Sequence, residues 1–182
     1  MSIPSTSILL DAEKLLTRVG VRIGYIVADL GCGTSGHFVI PAVKLVGPSG
    51  KVYAVDILKS ALNGVESRAK LEGLTGIETV WADCEVPRGV KIADNSIDVV
   101  LVINNLFQSK KRAAFLWEAS RIAKPGGKVV LVDWKPAASP LGPPAESRVA
   151  PEAAKAAAMS IGLKYSEAFE PGQYFWGLVF SK

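Results

Sequence analysis

This 182-residue chain has few of the side chains that build metal sites and disulfide frameworks: two cysteines, Cys32 and Cys84, and one histidine, His37. Neither the number nor the spacing of the cysteines fits a zinc site or a disulfide framework, which favours a reducing compartment. No apolar run is long enough to span a bilayer, and the start lacks the basic and apolar regions of a signal peptide. We therefore expect a cytoplasmic protein with no metal site and no transmembrane segment.

Low-complexity tracts and internal repeats are also absent, and the composition, 49% hydrophobic and 21% charged, is that of a globular protein. The length suits a single domain over residues 1–182, which would bury roughly 70% of its unfolded surface. The net charge of +4 makes an anionic partner conceivable, but the basic residues are scattered among 17 acids. This mild bias leaves a nucleic-acid partner open without a motif to support it.

Apolar periodicity predicts alternating strands and helices along most of the chain. The predicted helices cover residues 9–19, 37–46, 61–72, 111–123 and 151–160, and the predicted strands cover 25–30, 51–56, 77–82, 97–103, 128–134, 163–169 and 174–180. Near-continuous apolar strands such as 99–103 indicate burial on both faces, hence a mostly parallel sheet between helices. The last two strands are joined by a short turn with proline and glycine, which predicts an antiparallel hairpin.

A glycine-rich stretch after the first strand is the most informative motif: Asp29-Leu30-Gly31-Cys32-Gly33-Thr34-Ser35-Gly36. Its glycines allow a tight turn, a close approach to a ligand and the packing of a helix on a strand. Asp56 closes the second strand twenty residues after Gly36, where a carboxylate can accept two ribose hydroxyls. Together they predict a nucleotide-type cofactor and leave open which one.

Further motifs narrow the choice: Ala82-Asp83 closes the third strand, Lys124-Pro125-Gly126-Gly127 precedes the fifth, and a hairpin ends the chain. With the Asp-x-Gly-x-Gly-x-x-Gly motif, this order resembles the class I S-adenosylmethionine-dependent methyltransferases, in particular the UbiE-like branch that includes quinone C-methyltransferases. The resemblance covers nearly the whole chain, without the extra helical or lid segments of many relatives. It implies a Rossmann-like α/β three-layer sandwich, whose seven-stranded, mostly parallel sheet has an antiparallel C-terminal hairpin strand.

The resemblance also implies S-adenosylmethionine as cofactor, S-adenosylhomocysteine as product, and roles for residues at the ends of strands one to four. Asp29 would hold the methionine amino group, and the helix starting near Gly36 would face the methionine carboxylate. Asp56 would bind the ribose, because Ser60 is the better-placed cap for the next helix, and Asp83 would take the adenine amino group. The predicted cofactor-binding residues are Asp29, Gly31, Cys32, Gly33, Gly36, Asp56, Ile57, Asp83, Cys84 and Asn104.

The substrate-side candidates follow strands four and five: Asn105, Phe107, Gln108 and Asp133. Asp133 is a candidate base or substrate anchor, and each of the four has a structural alternative as a cap or loop residue. Several relatives have histidines where Phe107 and Gln108 stand, so no general base is evident. His37 fits a helix face better than the pocket, and residues 109–112 form a basic cluster at the expected rim.

These observations predict in-line methyl transfer to a small acceptor, such as a quinone-like compound or an amine. One alternative is an NAD-dependent oxidoreductase, which shares the glycines and Asp56 but does not explain Asp29, Asp83 or the hairpin. Another is an RNA-directed methyltransferase or RNA-binding module. The proline- and glycine-rich segment 137–151 is a candidate flap, and Phe175 and Trp176, if exposed, would support a homodimer.

Overall fold

A seven-stranded sheet forms the centre of the protein, whose computed structural model describes residues 9–137, 139 and 141–182. The strands are β1 (Ile26–Leu30), β2 (Lys51–Asp56), β3 (Ile77–Trp81), β4 (Ile97–Ile103), β5 (Ala123–Trp134), β6 (Lys164–Gly172) and β7 (Phe175–Ser181). They lie in the order β3-β2-β1-β4-β5-β7-β6. The first five are parallel, whereas β7 pairs antiparallel with β5 and with β6. This confirms the predicted sheet and its antiparallel end.

Helices cover both faces of the sheet, because successive strand residues point to opposite sides and nearly all are apolar. The helices are α1 (Ala12–Arg18), α2 (Val39–Val46), α3 (Lys59–Leu71), α4 (Arg112–Ile122) and α5 (Pro151–Ser160). Val27 and Leu101 face a core shared with α1, α2 and α3. Ala28 and Val100 face the other core, under α4 and α5. The result is the predicted three-layer sandwich.

The functional edge of the sheet follows from strand order. Because β1 lies between β2 and β4, the connections after β1 and after β3 run in opposite directions, which opens a crevice at the carboxyl ends of β1 and β4. Asp29 and Asn104 stand at these strand ends, and Asp56 stands at the carboxyl end of the adjacent β2. The topology therefore brings together polar side chains that are up to 75 residues apart in sequence.

Some element boundaries differ from the sequence predictions, each for a local reason. Helix α1 begins only at Ala12, because Asp11 caps it by accepting the Lys14 N–H at 2.9 Å. Helix α3 begins at Lys59, so Ser60 lies inside the helix and the prediction that it is the cap was wrong. Strand β5 begins at Ala123 rather than 128, because Ala123 continues the pairing with β4 before a register shift.

Strand β7 of the terminal hairpin is buried, contrary to the expectation that Phe175 and Trp176 are exposed. Phe175 packs against Trp134 with ring centroids 4.4 Å apart, and the Trp176 indole N–H donates to the Val149 carbonyl at 2.9 Å. Both rings sit in the interior because β7 is an inner strand, covered on one side by β6. The argument for a homodimer from these residues therefore does not hold.

The candidate flap contains a short 3₁₀ helix, Ala145–Ser147, that the sequence did not predict. Ala138 and Pro140 of this segment lie outside the described residues. Residues 1–8, for which the sequence predicts no signal peptide, also lie outside them. Within the described ranges, no helix combines the length and the apolar character needed to cross a membrane.

Candidate active site

Two adjoining cavities open at the carboxyl edge of the sheet: a large cleft of about 440 Å³ and a small cavity of about 170 Å³. They share the wall residues Gly31, Gly33, Asn105 and Gln108. Of the other predicted residues, the large cleft holds Asp56, Ile57, Asp83 and Cys84, and the small cavity holds Asp29, Cys32 and Asn104. Cys32 and Cys84 thus border neighbouring cavities rather than one pocket.

The motif glycines have different uses, although Gly31 and Gly33 both adopt positive φ angles, 78° and 66°. A β-carbon at Gly31 would lie 2.3 Å from the Asn105 side-chain oxygen, so this glycine makes room for the protein's own amide. A β-carbon at Gly33 would meet no described atom within 4 Å, so its backbone borders open space. Gly36 borders neither cavity and packs against Val65 of α3. Only Gly33 is placed for close approach to a ligand.

Asp56 is fixed by two backbone groups at the mouth of the large cleft. Its Oδ2 accepts the Gly33 N–H at 3.0 Å, and its Oδ1 accepts the Leu58 N–H at 2.9 Å. Each carboxylate oxygen can accept about two hydrogen bonds, so each keeps capacity for one hydroxyl. The side chain is held in position and can still bind a diol.

The far end of the large cleft is formed by the segment after β3. The Asp83 carboxylate accepts the Glu85 N–H at 2.8 Å, which fixes the turn that presents Asp83 and Cys84. Ile57, opposite, is an exposed apolar residue whose carbonyl accepts the Trp81 indole N–H at 2.8 Å. An apolar face with a nearby carboxylate suits a flat, amino-bearing ring.

Both cysteines are buried thiols of low reactivity. Burial first, and then the negative charge of nearby acids, raises the pKa of Cys32 and of Cys84. Since the thiolate is the reactive form, these side chains act as packing groups beside the cavities.

The small cavity contains two groups that favour a cationic ligand. Asp29 is only 3% exposed, and burial together with the charge of Asp56 raises its pKa to about 7. The side-chain oxygen of Asn104 is buried and has no hydrogen-bond partner among the residues that the structure describes. An ammonium group would neutralise the first and donate to the second, so the residues present fit the methionine end of the cofactor.

Asn105 braces the site rather than facing a substrate. Its amide nitrogen donates to the carbonyls of Leu30 and Ile103, both at 2.9 Å, which ties the end of β1 to the end of β4. Its oxygen accepts from the Gln108 amide at 3.1 Å. Of this pair, Gln108 is the exposed member and stays the substrate-side candidate.

Asp133 and Phe107 border neither cavity, which corrects their predicted roles. Asp133 is 0% exposed, and its carboxylate accepts the backbone N–H groups of Leu106, Phe107 and Trp134 at 2.9, 3.2 and 2.8 Å. Burial raises its pKa to about 6. Phe107 is half-buried against the core. Asp133 therefore cannot touch a substrate as a base or an anchor.

His37 does border the small cavity, contrary to the expectation of a helix-face position. It precedes α2, and its Nε2 lies 2.8 Å from the Leu10 carbonyl. The predicted basic cluster lies partly at the rim as expected, because Ser109 and Lys110 border the large cleft.

Two supporting groups escaped sequence analysis. Arg148 donates to the carbonyls of Pro143, Lys135, Ala137 and Leu141 at 2.6–3.2 Å, and so holds the described part of the candidate flap. The available signal was a single arginine in a proline- and glycine-rich segment. The second group is the buried ion pair Glu118–Arg121 in α4. Its signal in the sequence was two opposite charges three residues apart on an otherwise apolar helix face.

Comparison with known proteins identifies the family. Residues 23–167 match the family described as "Methyltransferase domain". The chain is 34% identical over 125 residues to the ubiquinone/menaquinone biosynthesis C-methyltransferase UbiE of Cupriavidus taiwanensis. It is 31% identical over 121 residues to the demethylmenaquinone methyltransferase of Geobacillus sp. (strain WCH70). Each match covers 66% of this chain but only 49% and 50% of those proteins, so the chain spans about half the length of the curated relatives it matches.

Among solved structures, a SAM-dependent methyltransferase from Aquifex aeolicus superposes with a TM-score of 0.88 at 28% identity, over 97% of this chain and 92% of that chain. This likeness covers nearly the whole chain. Between the cofactors that the glycine motif left open, the similar proteins favour S-adenosylmethionine over NAD. This chain belongs to the methyltransferase domain family, and S-adenosylmethionine is its cofactor.

Proposed function

We propose that this chain transfers the methyl group of S-adenosylmethionine to a small, quinol-like acceptor. The observation that carries the proposal is the small cavity beside the cleft of Asp56 and Asp83. It combines the buried Asp29 with the side-chain oxygen of Asn104, which has no hydrogen-bond partner within the described part of the chain. The quinol-like acceptor class is supported by the names of two relatives, a demethylmenaquinone methyltransferase and a quinone-biosynthesis C-methyltransferase.

The residue roles follow from what each cavity offers. We assign Asp29 and Asn104 to the ammonium group of the cofactor and Asp56 to its two ribose hydroxyls. Ile57, Asp83 and Cys84 would hold the adenine at the far end of the large cleft. The backbone of Gly31 and Gly33 would lie along the ligand. Of the two, only Gly33 lacks a side chain for the sake of the ligand, because Gly31 makes room for Asn105.

Bound S-adenosylmethionine supplies a methyl group already activated by a positively charged sulfur. The chain has to align acceptor and methyl group and to exclude water, and orientation alone can contribute roughly 7–11 kcal/mol. An apolar wall favours a reaction in which the sulfonium charge disperses. Phe38 and Ile103 would form that wall in the small cavity, whereas Leu106 and Phe107 face the core.

A carbon acceptor on a quinol ring must lose a hydroxyl proton before its ring carbon can attack. His37 is a candidate for taking this proton, because its ring borders the small cavity. When the Nε2–H donates to the Leu10 carbonyl, Nδ1 carries the free lone pair. An amine acceptor would need no such group.

The test begins with cofactor binding, followed by labelled methyl transfer. S-Adenosylhomocysteine at about 100 times its Kd should stabilise the protein by about 2.7 kcal/mol, and NADH should not. Asp56→Asn should lose most of this stabilisation. Labelled methyl should then enter 1,4-naphthohydroquinone rather than a primary amine. Stabilisation by NADH alone would overturn the cofactor roles, and label in the amine alone would overturn the quinol-like acceptor.

A cytoplasmic location and a single functional domain stay predictions. Nucleic acid as a partner gains no support from the relatives described above.

A further inference from the structure

The loop formed by residues 104–109, which follows β4, is the wall between the two cavities. Asn104 borders the small cavity, Ser109 borders the large cleft, and Gln108 borders both. Asn104 has a φ of 56°, a left-handed conformation that residues with a side chain seldom adopt, although asparagine tolerates it better than most. Such a conformation persists only where the surrounding structure holds it.

Neighbouring elements hold this loop at defined atoms. The Asn105 amide fixes it to β1, and Arg112 of α4 donates from Nε to the Leu106 carbonyl at 2.8 Å. Among the described residues of β5, Asp133 is the only one whose side chain forms a hydrogen bond to the loop. One oxygen of Asp133 accepts both the Leu106 and the Phe107 N–H, and the other accepts the Trp134 N–H.

A carboxylate suits this place because all three of its partners are donors. An ionised aspartate only accepts hydrogen bonds, through two oxygens, whereas an amide would turn an NH₂ group toward at least one N–H. The side chain is fully enclosed, so direct contact with a substrate is excluded. Its effect on the site can pass only through the backbone of the loop.

We propose that Asp133 is a positioning residue for methyl transfer, whose carboxylate fixes the middle of the loop 104–109 so that Gln108 stands correctly at the reacting centre. The inference rests on the proposed function, because it requires the reaction to occur at this wall. We assign cofactor affinity chiefly to Asp29 and Asp56 on β1 and β2 and to Gly33, whose N–H bonds Asp56. Asn104 keeps its own backbone bond, from its N–H to the Val132 carbonyl at 2.8 Å, without Asp133. Loss of the Asp133 carboxylate should therefore reduce turnover more than cofactor binding.

The test compares Asp133→Asn with Asp98→Asn. Asp98 also accepts a backbone N–H, that of Ile26 at 2.8 Å, but it lies at the opposite, amino end of β4. Amide hydrogen exchange, S-adenosylhomocysteine affinity and methyl transfer to 1,4-naphthohydroquinone are measured for both variants. In Asp133→Asn we expect the Leu106 and Phe107 amides to exchange at least about tenfold faster and kcat to fall at least about tenfold. The Kd for S-adenosylhomocysteine should stay within about threefold, and Asp98→Asn should leave both amides protected.

Arg112→Met keeps the test decisive if Asp133→Asn does not fold, because Arg112 is exposed and holds the same loop at the Leu106 carbonyl. It should speed exchange of the loop amides and lower kcat in the same direction, less strongly. Unchanged loop exchange in the variant that folds, or equal losses of cofactor binding and turnover, would overturn the proposal. A wild-type protein that binds S-adenosylhomocysteine but does not methylate the naphthohydroquinone would instead refute the proposed acceptor. Exchange would then still decide whether Asp133 fixes the loop.

Discussion

Asp29 shows how strongly burial can change the chemistry of one residue. Its pKa rises from 3.8 to about 7 because the carboxyl is enclosed and lies near the charge of Asp56. The protonated form is therefore favoured in the folded protein. The stability that this difference contributes is fully present below the unfolded pKa and is lost as the pH rises toward 7.

We predict that cofactor affinity rises with pH up to about 7, because a cationic ligand needs the ionised form of Asp29. Binding below that pH should release a proton. Calorimetric titration with S-adenosylhomocysteine in buffers of different ionisation enthalpy measures both effects. In Asp29→Asn the proton release should disappear and affinity should be low throughout. A variant with the wild-type pH dependence would show that another group titrates.

A pair of glycines separates backbone strain from ligand contact. Gly33 and Gly47 have φ angles of 66° and 64°, and at both a β-carbon would meet no described atom within 4 Å. Alanine at either position should cost roughly 1–3 kcal/mol of stability, because both have a positive φ that residues with a side chain seldom adopt. Only Gly33 borders the cavities, so only Gly33→Ala should weaken binding of S-adenosylhomocysteine, by about tenfold or more. Chemical denaturation and calorimetry measure the two effects, and equal affinities in the two variants would contradict the assignment.

At the scale of elements, the conformation of the segment after β5 is held chiefly by the side chain of Arg148. Arg148 bonds carbonyls on both arms of this segment, and its guanidinium lies 5.8 Å from the centre of the Trp134 ring. Since the segment has only a short 3₁₀ helix to satisfy its backbone, these bonds replace regular secondary structure.

Arg148→Met should therefore loosen this segment locally while the sheet stays intact. We expect faster amide exchange and earlier proteolytic cleavage between residues 135 and 149, with little change in the exchange of β4 and β5 amides. Arg18→Met is the control, because Arg18 forms an exposed ion pair with Glu167 on another part of the surface. Equal protection of the segment in both variants would show that Arg148 does not hold it.

At the scale of the whole molecule, a buried ion pair joins the loop before β4 to helix α4. Glu118 is 0% exposed and accepts the Val90 N–H at 3.2 Å and the Arg121 guanidinium at 2.8 Å. Arg121 in turn donates to the carbonyls of Val90 and Ile92. The pair satisfies the backbone of a connection that has no regular structure to do so.

Glu118→Gln should destabilise the protein by about 3 kcal/mol, because it removes the buried carboxylate and leaves the Arg121 charge with the more exposed Asp94 alone. Glu167→Gln, in the exposed pair, should cost less than about 1 kcal/mol. The free energy of unfolding in urea measures both changes. A loss in Glu118→Gln as small as that in the control would show that Asp94, which also contacts Arg121, suffices as its counterion.

The sequence alone was sufficient for the order of strands and helices, the sheet with its antiparallel hairpin, and the acids that end β1, β2 and β3. These features have local signals, because apolar runs, glycines and strand-ending carboxylates can be recognised without knowing their neighbours. Only the tertiary structure decided that Asn105 and Asp133 bond the backbone, that His37 reaches the cavity, and that Phe175 and Trp176 are enclosed. Each of these depends on which groups the strand order brings alongside, and a polar or aromatic residue in the sequence does not reveal its partner.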